Sequence, residues 1–453
     1  MRPSFAAALR DPISAIGIGL TTAAGLLFVF LFGLQSVGFL DNPYTGIVVF
    51  VMLPALFVVG LLLIPIGLWV ERRRARLGRT HPVWPRIDLN DPGIRHTIFF
   101  VAGATLINLL IVSVASYGAV EYTESQAFCG QACHTVMEPE FVAHQSGPHG
   151  RVHCVQCHIG RGAGGFLTAK LNGTRQLALV LSGGYSRPIP TPVQNMPDVR
   201  NSCEQCHLPD RWIGDKIKVL YEHGDDEANT QTKTTVQLHV GGPVAGTGSG
   251  VGIHWHMNRA NAVEYVGLDD KREQIPYVRV ATPDGRVREY FAEGVTAASV
   301  QDKPRRRMDC LDCHNRPAHR FATSPEREID AAIGTGRISA KIPFIRREAV
   351  RALKASYATQ DVALREIDRS IREAMKAHLP HRFEETDLRH AIGVTQSIYR
   401  ASVFPSMKVT WDAYANQLGH VTSMGCFRCH DENHKTKDGV AIRQDCELCH
   451  TIE

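Results

Sequence analysis

Six times the chain places a histidine directly after the second cysteine of a close pair. Five of these motifs read Cys-x-x-Cys-His: Cys154/Cys157/His158, Cys203/Cys206/His207, Cys310/Cys313/His314, Cys426/Cys429/His430 and Cys446/Cys449/His450. The first in chain order, Cys129/Cys133/His134, carries one extra residue between its cysteines. Two thiols spaced this way form thioethers to the vinyl groups of a haem, and the adjoining imidazole falls on the iron, which is how a c-type haem is attached. The chain has 12 cysteines and the six motifs use all of them. A lone Cys-x-x-Cys pair would equally suit half a zinc site or a redox dithiol. Neither explains a histidine after every second cysteine, and a disulfide scaffold would not pair its cysteines so locally. The expected cofactors are six covalently bound haem c groups.

Such a set has to be carried on something, and the first third of the chain shows what. Three uncharged runs, Ile13 to Leu40, Gly46 to Val70 and Thr97 to Val120, each exceed the ~20 residues that a helix needs to cross a bilayer. They are too long, and lack the small-residue cleavage site, for a removed signal peptide, so they are read as three retained membrane helices. Seven arginines (Arg72, Arg73, Arg74, Arg76, Arg79, Arg86 and Arg95) lie between the second and third runs, and Arg2 and Arg10 precede the first. The short loop Asp41 to Thr45 has no basic residue. The positive-inside rule then keeps the N-terminus and the arginine loop cytoplasmic and sends everything after about Tyr122 to the periplasm. Covalent haem attachment is expected on that side. The expected location is thus a bacterial inner membrane with an exported haem domain. The net charge of +5 reflects the arginine loop and gives no reason to expect a nucleic-acid partner.

The expected organisation is a membrane anchor over residues 1–122, a domain with haems 1–3 over 123–210, a haem-free insert over 211–309 and a domain with haems 4–6 over 310–453. Tyr117 and Tyr122 stand where aromatic residues anchor a membrane interface, and the first motif follows Tyr122 by only seven residues. That haem therefore sits near the bilayer. Met137 follows His134 closely, and either side chain can be the proximal ligand. Leu167, Leu171, Leu177 and Leu181 mix with Lys170 and Arg175 in a pattern suited to a helix lying in the interface; an ordinary core helix with snorkelling cations is the alternative. In the insert, Tyr277 to Val280, Thr282-Pro-Asp-Gly285 and Arg286 to Phe291 predict a β-hairpin with an Asp-Gly turn. The glycine-rich stretch from Gly241 to Gly252 reads as a loop, the proline-rich stretch from Ser182 to Pro197 as a traverse, and Ile345 to Leu379 as two amphipathic scaffold helices. The fold class is a membrane-anchored multihaem cytochrome c: three transmembrane helices, then a mostly α and irregular haem-packed exported domain with a small β-hairpin insert.

A membrane helix running into a first haem motif with a nearby methionine, then a second motif, resembles the NapC/NirT/NrfH family of quinol dehydrogenases. Ser146-Gly-Pro-His149 resembles that family's Ser-x-x-His segment, whose histidine ligates another haem. Lys170-Leu-Asn-Gly-Thr-Arg175-Gln176 is similar to its Lys-Leu-x-Ala-Ser-Arg-Glu run, whose lysine and nearby acid line the quinol pocket. The resemblance implies a quinol site at Lys170, Arg175 and Gln176, with menaquinol or ubiquinol as substrate. Here Gln176 replaces the acid, and no carboxylate occurs between Gly160 and Asn195. The Ile-His254-Trp-His256 phrase, Cys313-His314-Asn-Arg-Pro-Ala-His319 and Gly425-Cys-Phe-Arg-Cys-His430-Asp resemble the enlarged, ImcH-like inner-membrane members, implicated in electron export from the quinone pool.

Thirteen histidines outside the motifs lie on the exported side, more than six distal positions need. His149, His319, His420 and His434, with one of His254 and His256, are the expected distal ligands; His144, His153, His223 and His239 stand in reserve. Full bis-histidine coordination suits electron transfer, because it leaves substrate no site on the iron. Three functions follow. The first is a membrane quinol dehydrogenase passing electrons from the quinone pool to periplasmic cytochromes or a reductase. The second is an electron-transfer subunit of a complex whose other membrane subunits do the quinone chemistry. The third is a terminal reductase at an open haem, which spare histidines argue against. The reading predicts that the intact mass of the exported protein carries six haems, and that replacing Cys310 and Cys313 with alanine removes one of them; a smaller number in the unaltered chain would refute it.

Overall fold

Apolar runs with no polar face have to be shielded from water, and the chain begins by folding three of them into helices. The computed structural model describes residues 12–36, 48–76, 90–132, 134–160, 162–193, 196–207, 214–243, 250–258, 260–378 and 383–453. Arg2, Arg10, the loop from Asp41 to Thr45, and Arg79 and Arg86 lie outside them, as does Cys133. The chain divides into two compact units, Met1–His134 and Thr135–Glu453.

In the first unit, α1 (Pro12–Ser36), α2 (Leu53–Arg76, entered through a π-helical turn at Val48–Met52) and α3 (Pro92–Glu124) are each long and apolar enough to cross a membrane. Asp91 caps α3, its side chain accepting from the Gly93 amide at 2.8 Å, and Pro92 fills the first turn. Lipid offers apolar side chains no incentive to leave it, so helices here associate through close backbone approach. That is how α1 meets α2. A side chain on Gly60 would run into Thr21 Oγ1 and lie 2.9 Å from the Gly17 carbonyl, and Ser14 Oγ donates to the Ile64 carbonyl at 3.1 Å. α3 joins them at a cluster of Phe28, Val49, Phe50, Leu53 and Ala115. Tyr122 rests against Phe50 and Phe128 near the end of α3, while Leu26, Phe30, Leu62 and Leu110 remain exposed on the outer surface.

In the second unit, α4 (His134–Gln145; its first residue ends the first unit), α5 (Cys154–His158), α6 (Gly162–Ser182) and α7 (Val199–Cys203) precede the sheets. The predicted hairpin is present as β6 (Tyr277–Ala281) and β7 (Val287–Phe291), with Tyr277 opposite Phe291. It belongs to a larger antiparallel sheet in the order β7-β6-β5-β8, with β5 at Ala262–Val266 and β8 at Arg306–Arg307. A second sheet pairs β1 (Lys216–His223) with β2 (Gln231–Leu238) and β2 with β9 (His450–Ile452). Two short strands, β3 (Gly242–Pro243) and β4 (Gly250–Val251), close the neck of the glycine-rich loop. The two predicted scaffold helices are α9 (Ile345–Lys354) and α10 (Gln360–His378), packed with α8 (Pro325–Gly334) and α11 (Glu385–Ser402). Their shared core contains Ile329, Ile338, Ile345, Leu353, Ile367, Ile371 and Leu388.

Gly60→Leu is expected to force α1 from α2 at an overpacking cost of about 1–3 kcal/mol, seen as an earlier unfolding midpoint in detergent. Gly19→Leu, which meets nothing within 4 Å, serves as the control and should leave that midpoint in place.

Candidate haem-binding sites

Each described attachment motif is a single helical turn. The histidine amide donates to the carbonyl of the first cysteine at 2.9 Å in His207–Cys203, 2.8 Å in His314–Cys310 and 3.0 Å in His430–Cys426. Carboxylates start two of the turns. Asp309 accepts from the Leu311 amide at 2.8 Å and Asp445 from Glu447 at 3.1 Å. The Cys154 motif is α5 itself.

The cysteines of these turns are not equally covered. Cys129, Cys154, Cys157, Cys203, Cys310, Cys313, Cys426, Cys429 and Cys449 are half-buried, whereas Cys206 and Cys446 are exposed. Cys206 is the clearer departure from an attachment cysteine enclosed by packing. Its partner Cys203 ends α7, and Cys206 stands beyond it in an open turn, its amide donating to the Cys203 carbonyl at 3.2 Å. None of the apolar clusters among the described residues includes it.

Five motif histidines face a second imidazole. The ring centroids stand 5.9 Å apart in His149–His207, 6.1 Å in His158–His319, 6.4 Å in His254–His314, 5.9 Å in His256–His430 and 6.1 Å in His420–His450. Two imidazoles bound to opposite sides of one metal at about 2 Å each put their centroids roughly 6 Å apart. The partners are also held by their far nitrogens. Nδ1 of His149 bonds the Pro317 carbonyl at 2.9 Å, that of His256 the Ile253 carbonyl at 2.8 Å, that of His319 the Glu140 carbonyl at 2.8 Å, and that of His430 the Arg443 carbonyl at 2.8 Å. A carbonyl can only accept, so Nδ1 carries the proton and Nε2 keeps its lone pair for iron. Burial holds His254 and His256 below the usual imidazole range and pushes His319 down to about 4. They therefore stay neutral, the ligand form, at physiological pH. Among the described residues no group of three or more histidine, cysteine, aspartate or glutamate side chains gathers as a bare metal ion would require. Opposed pairs fit a haem iron instead.

His434 lies elsewhere. Its buried ring bonds Asp431 Oδ1 at 2.9 Å and the Ile275 carbonyl at 2.6 Å, so both nitrogens serve the packing of the insert. Both His254 and His256 face motif histidines, where only one was expected. They do so from opposite sides of one short 3-10 turn, Ile253–Met257. Of the reserves, His144 is buried 5.9 Å from His319, while His239 is engaged by Asp215 and Thr451, and His223 by Asp330. Met137 lies half-buried on α4, and the side chain of His134 lies outside the described residues.

The sites adjoin one another in chain order. α5 packs on α7, and α7 on the turn Cys310–Asp312. The thiols of Cys203 and Cys310 are hydrogen-bonded, and Cys313 and Cys449 both lie within electrostatic reach of Cys426. A clamp joins the fourth and fifth motifs. Arg428, inside one, donates to the carbonyls of Asp312, inside the other, at 2.5 Å and of Arg272 at 2.8 Å. The buried Asp312 carboxylate accepts from Tyr265 Oη at 2.6 Å and Arg272 at 2.8 Å, with Arg306 at 3.3 Å. Gly425 makes the approach to the fifth motif: its φ is +47°, and any side chain there would collide with the Gly419 carbonyl, next to His420. Sequence spacing gave no sign of this clamp, since its members come from three distant segments.

Lys170, Arg175 and Gln176 all lie on α6. Lys170 Nζ sits 4.9 Å from the Phe166 ring centre. Arg175 and Gln176 are exposed, as are Leu167, Leu171, Leu177 and Leu181. Six residues along a helix place Lys170 and Gln176 about a third of a turn apart, on different faces.

The sequence profile described as the NapC/NirT cytochrome c family, N-terminal region, matches residues 93–188, from α3 through the first two motifs to the end of α6. The cytochrome c-type protein ImcH of Geobacter sulfurreducens is 40% identical over 450 residues, covering 98% of this chain and 88% of that protein. The chain belongs to the NapC/NirT cytochrome c family. No solved structure matches it. Like the family, this NapC/NirT cytochrome carries covalently bound haem c and serves electron transfer, and three apolar N-terminal helices of its own suit a membrane anchor.

Asp312→Ala would leave a phenol and two guanidiniums of this NapC/NirT cytochrome without their buried partner. The expected loss is about 3 kcal/mol or more of holoprotein stability, read by denaturant unfolding. Asp284→Ala, which removes an exposed pair with Arg286 in the β6–β7 turn, should leave stability unchanged.

Proposed function

We propose that the protein is a hexahaem cytochrome that oxidises membrane quinol near its first haem and passes the electrons along the haem chain to a periplasmic acceptor. The observation that carries this is the set of five opposed imidazole pairs at 5.9 to 6.4 Å. Haems 2 to 6 are assigned the ligand pairs His158/His319, His207/His149, His314/His254, His430/His256 and His450/His420. Fully ligated irons of this kind exchange electrons without binding substrate, which speaks against a terminal reductase. Haem 1 takes His134 or Met137. In this reading the haem domain is periplasmic, the arginine loop is cytoplasmic, and the membrane is the inner one.

The residues proposed to meet the quinol are Lys170, Arg175 and Gln176. The exposed leucines of α6 suit a helix bedded in the bilayer surface. The lysine and arginine can bind and orient a quinol oxygen, but Gln176 cannot take up a proton as a carboxylate would. That substitution favours a second reading, in which the chain is an electron-transfer subunit and another membrane subunit handles quinone. In either case the covalently attached haems supply the redox chemistry, and the protein sets their order, spacing and ligation.

The two readings separate in one measurement. The purified holoprotein in detergent is mixed with a menaquinol or ubiquinol analogue and its haem absorption followed. Reduction that falls at least tenfold in Lys170→Ala, with a smaller loss in Gln176→Ala, supports quinol oxidation at α6. Reduction that requires a co-purifying membrane subunit would assign the chemistry to that partner, and loss of neither variant's rate would remove the assignment to this helix.

A further inference from the structure

Residues 314–319 thread between three sites. His314 is the histidine of the fourth motif, the Pro317 carbonyl holds His149 opposite His207, and His319 faces His158. The segment is fixed on its outer side by Asn315, which donates to the Ala415 carbonyl at 2.9 Å and accepts from the Gln417 amide at 3.0 Å. In its middle lies Arg316. Its Nε and Nη1 are buried, and neither meets a hydrogen-bond acceptor. Buried arginines elsewhere in this unit are satisfied: Arg346 pairs with Asp330 and Asp225, and Arg272 and Arg306 pair with Asp312. A charge left alone in a low-dielectric site is costly, and guanidinium is the side chain best shaped to receive a carboxylate through two parallel hydrogen bonds.

We propose that Arg316 is the anchor for a haem propionate at the junction of haems 2, 3 and 4. This rests on the haem assignment above. Each haem brings two carboxylates that the polypeptide must neutralise where they are buried, and Arg316 is an unmet cation at the place where three of the macrocycles converge. The pairing has a redox consequence. Masked by the guanidinium, the propionate does not favour ferric over ferrous iron and does not titrate near neutrality. Released from it, the anion stabilises the oxidised iron, and burial raises its own pKa into the neutral range.

The test uses full-length holoprotein in detergent, with haem content checked by intact mass. In Arg316→Gln, one haem is expected to fall in potential by about tenfold in its reduction equilibrium, which is 59 mV for one electron, and to become pH-dependent between about pH 6 and 8. Arg316→Lys, which keeps the charge and loses the fork, is expected to hold the potential. It should nevertheless shift the carboxylate bands in redox-difference infrared spectra of protein carrying haem labelled with carbon-13 in its propionates. If the glutamine variant fails to accumulate, the lysine variant decides alone. Unshifted labelled bands there, or potentials and pH dependence unchanged in the glutamine variant, would assign the guanidinium to some other group and overturn the proposal. An unaltered protein with fewer than six haems would instead remove the haem assignment beneath it.

Discussion

The geometry on which the haem-bearing unit depends is the separation of about 6 Å between imidazoles that, in the proposed pairing, share a metal. A covalent turn fixes one imidazole of each pair by local structure alone. The other has to be brought in and aimed. His149 comes from the stretch between α4 and α5, His319 from beyond the fourth motif, and His254 and His256 from a turn beside the glycine-rich loop. Backbone carbonyls do the aiming, because an Nδ1–H committed to Pro317, Ile253 or Glu140 leaves only Nε2 to point at the neighbouring motif, and the Arg443 carbonyl orients the motif imidazole of His430 in the same way. The carboxylate and guanidinium clamp of Asp312 and Arg428 adds the remaining requirement, that adjacent turns keep a constant distance.

The apolar core is distributed accordingly. Its largest cluster belongs to α8–α11, which carry no attachment motif, and a smaller one supports the β5–β6–β7 sheet. The motif turns themselves have few fully buried apolar side chains. A porphyrin is a broad apolar surface, and the sparse packing between motifs fits a unit completed by its cofactors. The helical cluster is then a foundation that folds on its own side chains, and the haem-bearing loops are hung between it and the sheets.

What could be read in the residues alone was whatever short-range spacing controls. The motifs, the three apolar helices, the Asp-Gly hairpin and the paired helices after Ile345 all announce themselves within a few residues. β1 and β2 went unread: Lys216-Ile-Lys-Val does alternate polar and apolar residues, but over only four positions and with Ile217 and Val219 left exposed, while Gln231-Thr-Lys-Thr has no apolar residue at all. Nor does motif spacing foretell coverage: Cys206 and Cys157 hold the same place in their motifs, yet the first is exposed and the second half-buried. The distal histidines mark the limit more sharply. His434 sits four residues beyond a motif histidine, yet its ring closes the Asp431–Ile275 contact; His254 and His256, two residues apart, face different motifs. Proximity in sequence says nothing about which side of a loop a ring will face. Lys170 and Gln176 are similar: the segment's helical character was legible, but α6 turns the two residues to different faces.

The segment carrying His319 has a bearing on how such a molecule matures. In the proposed orientation the chain crosses the membrane from its N-terminal side, so Cys154 and Cys157 would reach the oxidising compartment well before the imidazole that faces theirs. With the proposed pairing, the second macrocycle is stitched on while the upper side of its iron is still bare, and only the arrival of the fourth motif covers it. On the proposed pairing and orientation, assembly would pass through a series of half-ligated irons, each a moment at which small molecules such as carbon monoxide or cyanide could intrude where the finished protein would admit none.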